Sequence, residues 1–546
     1  MVDKNKTYEL SELESLLYSA ADTFHGGGNL NNLEILNVAI PTMFLKRVMD
    51  LREDFIECEL KHTNEYKLGG FIAALNDHYK ETNDAFNVKN NDEWFFVTYA
   101  DIINYPNNDK EEEITLELKI DNSIKLKTTA PNRVKFVEEI YKNIAHKTVQ
   151  QIFTQSRYFS LYLNDKLDFN ESNILLNKFS NHHFGNNVKT DIFSQAYIYL
   201  ISTFASSAGK KGGEFFTPDP ICKAVVECLQ PKTKKLGKTK VADITSGSAT
   251  FLIELGNYIA EKEGKDTATD KLEFYMQEKE SQTMVLGEAG LMLAGFEHLN
   301  AFHGDTLLKY KENIGQYRGQ MDYVIGNPPY GSKILQQDTY ELIKKLENDE
   351  ERWGFGIPPR SELEWFFVQS ALDMADENGK VALVLPLGTL FKKNSRKVML
   401  EQDIVEGIIT LPDHMFQTTP IPTCIWIFNK NKSSEDRGKV FMVNNSLDFK
   451  KEGKYNTIDY DKLIDTYTNR KTEEGYSKYV ELKDIQANDF NLSAQRYIFR
   501  EEEKEYVDII SLNAQSIELT KSIQEKEKSL NTIFDMITQN KGGGDE

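Results

Sequence analysis

The chain has 546 residues and a net charge of −20, a length that suits roughly three or four domains. Phosphate contacts need a basic face, so this charge argues against independent nucleic-acid binding, but not against a nucleic-acid enzyme whose partner supplies the charge. The charged start MVDKNKTYEL has no apolar h-region, and no apolar run approaches the ~20 residues of a membrane span. A cytoplasmic chain without membrane contact is expected. Cys58, Cys222, Cys228 and Cys424 are scattered, which fits a reducing compartment and argues against a zinc site or a disulfide framework.

Residues 8–52 read as two helices, LESLLYSAADTF and EILNVAIPTMFLKRVMDL, joined by the turn HGGGN. Residues 53–190 read as mixed helix with polar loops, so 1–190 is expected to be a mostly helical N-terminal domain. QAYIYLISTFASSA (195–208) is an amphipathic helix, and GKKGGE after it reads as a mobile loop.

From about residue 215 strands alternate with helices. KVADIT (240–245), LEFYMQE (272–278), NAFHGD (300–305), DYVIGN (322–327), KVALVLP (380–386), VEGIITLP (405–412) and PTCIWIFNK (422–430) are the strand candidates, the last two close enough to pair. Strands alternating with helices imply an α/β fold with a mostly parallel sheet covered on both faces. This domain spans 191–500. Residues 501–546 are highly charged, with Leu519, Ile523, Leu530 and Ile537 at helical spacing. They read either as a solvated tail or as a helix that docks a partner.

In open α/β sheets ligands bind beyond the carboxyl ends of the strands. Here four strands end on Asp243, Glu278, Asp305 and Asn327, a set that suits a ligand with an amine, ribose hydroxyls and an adenine amino group. DITSGSATF is a strand–turn–helix junction in which Gly247 takes the tight turn and Ser246 or Ser248 caps the helix. With one glycine it is a weak nucleotide fingerprint, and a plain helix cap explains it about equally well. In GGEFFTPDPICKAVVECL, Thr217 reads as an N-cap and Pro218 as the first helical residue.

DYVIGNPPYG ends a core strand on a rigid plug. The Asn327 side-chain carbonyl and the Pro328 carbonyl make two fixed acceptors that match the two donors of a planar amino group. Tyr330 offers a face on which a flat ring can stack. Two such bonds draw the nitrogen lone pair out of conjugation, so a weak nucleophile can attack a methyl sulfonium.

The order EFFTP, DITSGSATF, MQE, GD and GNPPYG resembles the gamma-type N6-adenine DNA methyltransferases, and more narrowly the modification subunit of type I restriction–modification systems. The resemblance covers nearly the whole chain. It implies a Rossmann-like, class I S-adenosylmethionine-dependent methyltransferase domain with a mostly parallel seven-stranded sheet, a helical N-terminal domain and a C-terminal helix. It implies S-adenosylmethionine as methyl donor and adenine N6 in DNA as acceptor. The cofactor would lie against Glu214, Phe215, Phe216, Thr217, Pro218 and Asp219, then Asp243 and the turn Gly247, Ser248, Ala249 and Thr250, with Glu278 at the ribose and Asp305 at the adenine. Asn327, Pro328, Pro329 and Tyr330 would hold the flipped base, with Phe416 as second stacking aromatic. Two copies would sit on one DNA-specificity subunit, which a motor–nuclease subunit can join. In this chain Ile244 stands where the family often has proline, and Thr250 where glycine is common.

A solitary adenine methyltransferase, a protein-glutamine methyltransferase and an inactive methyltransferase-like scaffold are the rival assignments. A cytosine C5 enzyme is disfavoured, since no Pro-Cys dipeptide exists to supply its nucleophile.

Overall fold

The computed structural model describes residues 4, 6–24, 30–62, 87–90, 93–96, 102–103, 116–120, 124–128, 137, 169–207, 217–329, 337–346, 352–391, 394–416, 421–452, 455–499 and 509–540. Met1–Phe499 form one compact unit and Arg500–Glu546 a second. HGGGN and GKKGGE lie outside the described residues.

The first unit begins with helices α1 (Leu10–Asp22), α2 (Asn32–His62), α3 (Phe169–Ser180) and α4 (Thr190–Ser207). Helix α1 buries Leu13, Leu17, Ala20 and Ala21 along one stripe, as helical periodicity requires. Helix α2 starts on a reciprocal cap. Asn31 Oδ1 accepts from Glu34 N at 3.0 Å, and Glu34 Oε2 accepts from Asn31 N at 3.0 Å, which satisfies two N–H groups that the helix leaves unpaired. The region 53–190 is not only helical. Antiparallel hairpins pair Asn87–Asn90 with Glu93–Phe96 and Leu116–Ile120 with Ile124–Thr128. In the second, LELKI and IKLKT alternate apolar and charged residues, the period of a strand.

The sheet has nine strands: β1 (Thr239–Asp243), β2 (Leu272–Glu278), β3 (Leu299–His303), β4 (Met321–Gly326), β5 (Ala375–Pro386), β6 (Val405–Thr410), β7 (Thr423–Asn429), β8 (Lys439–Asn444) and β9 (Ser477–Glu481). Their order is β9-β8-β6-β7-β5-β4-β1-β2-β3. Strands β1 to β5 pair with one another in parallel, whereas β7 runs antiparallel to both β5 and β6. The seven expected strands are present, and β6 and β7 pair as expected. The difference is at one edge, where β8 joins β6 in parallel and β9 covers β8 in antiparallel.

The N-terminal helices do not form a separate ball. One apolar cluster includes Leu13 of α1, Ile40 of α2, Tyr197 of α4, Val241 of β1, Phe274 of β2 and Leu291 of α7 (Ser281–Leu293). At the junction Tyr197 is buried and its hydroxyl donates to Leu286 O at 2.6 Å. A Cβ on Gly290 would lie 2.5 Å from the Tyr197 ring. Gly290→Ala is therefore expected to destabilise the chain by about 1–3 kcal/mol, the cost of overpacking a rigid site. Urea unfolding checks this, and an unchanged midpoint contradicts the packing.

Candidate functional site

Strand β1 lies between β2 and β4, with all three parallel, so their carboxyl ends share one rim. Asp243 is the last residue of β1 and only 1% exposed. Its Oδ1 accepts from Thr245 N at 2.9 Å. Burial pushes its carboxyl up to about 7, with the nearby Glu278 adding to the rise. Glu278 ends β2. Its Oε2 accepts from Gly247 N at 2.9 Å and its Oε1 from Glu280 N at 2.8 Å. Burial raises this carboxyl too, and the backbone donors partly oppose the rise. Two desolvated carboxylates on one rim call for a ligand rich in donors or positive charge.

The turn after β1 differs from expectation in its capping. Helix α6 (Thr250–Glu263) has Ala249 as N-cap, in the left-handed region at φ 60°, with no side-chain bond to its N–H groups. Ser246 Oγ instead donates to Gln277 O at 3.3 Å, and Ser248 Oγ lies 3.1 Å from Thr250 Oγ1. Gly247 has φ 53°, a conformation that favours glycine. The first turn of α6, with no side-chain cap among the described residues, follows directly on the turn at the end of β1, the position where such folds bind polar groups. Thr250 is 5% exposed, and the hydroxyl contact with Ser248 gives its side chain a local partner.

Strand β4 ends on Gly326, and Asn327 and Pro328 follow. A Cβ on Gly326 would lie 2.8 Å from Asp243 Oδ1, so glycine is what lets β4 run this close to Asp243. Asn327 Nδ2 donates to Thr217 Oγ1 at 3.0 Å. Asn327 Oδ1 is buried with no hydrogen-bond partner among the described residues. A buried acceptor without a donor costs about 1–3 kcal/mol, so this oxygen is held ready for one. Pro328 is buried and Pro329 exposed. Thr217 is not the N-cap it was expected to be. Helix α5 (Asp219–Leu229) begins one residue later than that reading requires, with Pro218 at the cap and Pro220 in the first turn. The Thr217 hydroxyl is thereby left for Asn327, a link between residues 110 positions apart.

Of the other expected site residues, Asp305 stays near this rim, just past the β3 end that pairs with Glu278. Asp219 lines a cavity with Lys223, Glu254, Asn257 and Tyr258 rather than the rim. Burial and the Asp219 carboxylate push Glu254 up to about 9. Asp305 lies two residues beyond β3. Its Oδ2 pairs with Lys279 Nζ at 3.0 Å and its Oδ1 accepts from Leu307 N at 2.9 Å. Phe416, after β6, is 4% exposed and packed in the main apolar cluster. Glu214, Phe215, Phe216 and Tyr330 lie outside the described residues. Cys222, Cys228 and Cys424 are free and buried, and burial pushes the Cys424 thiol up to about 12. Among the described residues, Asp50, Glu53 and His183 have the donor types of a cation site, but Asp50 is already bonded by the Lys46 ammonium and by Phe184 N at 2.6 Å. No described helix is long and apolar enough to cross a membrane.

The N-6 DNA Methylase family model matches residues 188–506. The chain belongs to that family. The match runs from α4 to beyond β9 and so includes every strand of the large sheet. Among curated relatives, the methylase subunit of the type I restriction enzyme MjaVII from Methanocaldococcus jannaschii is 32% identical over 62% of this chain and 58% of its own length. The MpnII methylase subunit from Mycoplasma pneumoniae is 30% identical over 64% of each chain. The chain thus spans about 58–64% of the length of these relatives. A crystal structure of the type I restriction-modification methyltransferase subunit from Streptococcus thermophilus aligns with TM-score 0.68 at 19% identity, covering 90% of this chain and all of that one. A subunit solved in a study of type I complex assembly aligns with TM-score 0.55 at 18% identity over 98% of this chain. These two likenesses show the fold, a large, mostly parallel sheet carrying many helices.

The raised Asp243 carboxyl has a consequence for stability. The folded chain holds this proton more tightly than the unfolded chain does. Its contribution is full below about pH 4 and is lost as pH rises through about 7. Asp243→Asn, which removes the titration, should therefore gain on the wild type by about 2–3 kcal/mol between about pH 5 and about pH 8. Urea unfolding of the ligand-free chain at the two pH values checks this. Parallel stability in both proteins would contradict the buried, unpaired carboxyl.

Proposed function

We propose that the chain is the modification subunit of a type I restriction–modification system, methylating adenine N6 in specific DNA. The observation that carries this is the buried, unpartnered Asn327 Oδ1, set beside Asp243 and Glu278 in a chain of the N-6 DNA Methylase family. S-adenosylmethionine, when bound, supplies an electrophilic methyl group on a sulfonium. Its donor-rich amino-acid and ribose ends fit the two desolvated carboxylates and the uncapped turn at Gly247–Thr250.

The chain's own residues then do three things. Asp243 ionises when a cation comes beside it and holds that cation by charge. Glu278 keeps its bonds to Gly247 N through Oε2 and to Glu280 N through Oε1, and offers its remaining lone pairs to hydroxyl donors. Asn327 Oδ1 and the Pro328 carbonyl accept the two N–H groups of an extruded adenine. These bonds localise the lone pair on nitrogen and stabilise the positive charge that builds there as the methyl arrives. The ring of Tyr330 stacks on the base.

Sequence specificity comes from a separate subunit, two methyltransferase chains to each, and a motor–nuclease subunit can complete a restriction complex. The acidic charge supports this division, because it disfavours duplex binding by the chain alone. Helix α8 (Ile509–Asn540) supports it too, since Leu519, Ile523 and Leu530 are exposed on it by 65%, 52% and 57%. Such a stripe suits docking to a partner helix. The side chain of Ile537 lies outside the described residues.

Asn327→Ala should lower the single-turnover methylation rate by about 10²–10³, as loss of one transition-state acceptor does, while leaving S-adenosylmethionine affinity nearly unchanged. Tyr330→Phe should keep most activity and Tyr330→Ala little. Full activity of Asn327→Ala, or equal loss in the two Tyr330 variants, contradicts the acceptor-and-stacking account.

A further inference from the structure

Taking a base out of a duplex costs its stacking and leaves a space between its neighbours. An aromatic or apolar side chain that enters the stack offsets part of that cost. Such a side chain has to be exposed, carried on firm backbone, and placed at the edge where the base is received. Phe391 meets all three conditions.

Strand β5 runs parallel to β4 with Leu383 opposite Gly326, so it continues past the level of Asn327 and ends at the same edge on Pro386. One tight helical turn follows, Leu387–Leu390, with Phe391 as its last cap. The turn is held by several elements. Leu387 N donates to Pro422 O, and Leu492 N donates to Leu390 O, each at 2.9 Å. Thr389 Oγ1 donates to Pro386 O at 2.8 Å and accepts from Trp426 Nε1 at 3.0 Å. Leu390 is fully buried, yet the ring of Phe391 beside it is 52% exposed. A phenyl ring held in water on so fixed a mount forgoes the burial that the hydrophobic effect favours.

Charge and position favour duplex DNA as what covers this ring. The chain is acidic overall, but residues 378–400 contain no Asp or Glu, and FKKNSRK holds four basic residues. The other lysine-rich stretch, PKTKKLGKTK (231–240), leads into β1 at the opposite edge. There Lys234 and Lys238 are already paired with Asp322 and Asp270. Leu447 and Phe449 are also exposed at the catalytic edge, but they follow β8, four places from β4 in the sheet, whereas β5 is its neighbour.

We propose that Phe391 is a wedge whose ring enters the base stack in the space that the extruded adenine leaves. This rests on the adenine-N6 reading above. The positive stretch around the ring suits the phosphates that border that space. Every base has a face on which a ring can stack, so the wedge reads no sequence and leaves that task to the partner.

The test measures binding without chemistry. The chain is assembled with its specificity subunit and saturated with S-adenosylhomocysteine, and the methylated position is located by sequencing modified DNA. Three duplexes are titrated: one with adenine at that position, one with an abasic residue there, and one without the recognition sequence. A wedge fills the space in the first two. Phe391→Ala should therefore weaken both by about tenfold or more, the scale of one base–aromatic stack. Phe391→Trp, which keeps a stacking ring, should retain most of the affinity. Binding of the third duplex and of S-adenosylhomocysteine should change less than about threefold. Unchanged binding of the first two duplexes by Phe391→Ala overturns the proposal, as does a tryptophan variant no better than alanine. A loss confined to the adenine duplex overturns it in favour of stacking on the extruded base itself. Equal loss on the third duplex, or a parallel loss of S-adenosylhomocysteine affinity, overturns it in favour of a general surface or folding effect. Absence of methylated adenine in DNA exposed to the wild-type complex overturns the adenine-N6 reading, and the wedge with it.

Discussion

Strand β1 lies between two parallel neighbours, and much of the site follows from that placement. The order of the sheet reverses at β1, because β2 and β3 continue to one side and β4 and β5 to the other. The connections after β1 and β4 therefore part at the same edge and leave a crevice. Asp243, Glu278 and Asn327 reach it as residues that end, or immediately follow, adjacent strands. Close approach is enforced by Gly326, where any side chain would collide with Asp243 Oδ1 at 2.8 Å.

The crevice is unfavourable for the ligand-free fold. It holds two carboxyls raised by burial and one buried amide oxygen without a donor. Such groups persist only where the surrounding structure is strong enough to hold them. Here the support is broad: the apolar cluster runs from the N-terminal helices through α4 and α7 into the sheet. Arg47 of α2 adds bonds to Phe184 O and Gly185 O at 2.5 Å each, which fastens α2 to the loop between α3 and α4. The helices before the sheet are thus part of what keeps the rim in shape.

Strand ends were the legible part of this sequence, because apolar runs of five to seven residues stopping on Asp243, Glu278 or Asn327 mark both the strand and the residue that leaves it. The Asn-Pro-Pro plug was legible for the same reason. Contacts between distant segments were not. No local pattern tells that Thr217 faces Asn327 rather than its own helix, nor that Asp219 lies against Glu254. Capping was misjudged because the serines at 246 and 248 are strong cap formers by propensity, yet the tight turn directs one to Gln277 O and the other to Thr250. Two added strands, β8 and β9, and two short hairpins before α3 were not among the expected elements, although KVFMVN in β8 holds a continuous apolar run and LELKI and IKLKT alternate with the period of a strand. Phe416, the second aromatic that the resemblance implies, is buried in the main apolar cluster of the ligand-free chain.

The central claim is that this rim transfers a methyl group to an adenine amino nitrogen. The most direct measurement is to incubate the assembled complex with methyl-labelled S-adenosylmethionine and duplex DNA, digest the DNA to nucleosides, and separate them by chromatography with mass detection. The account predicts label in N6-methyldeoxyadenosine and none in methylated cytidines. Label confined to cytidine or to protein, or unlabelled DNA from a complex that binds both S-adenosylmethionine and duplex, would contradict it.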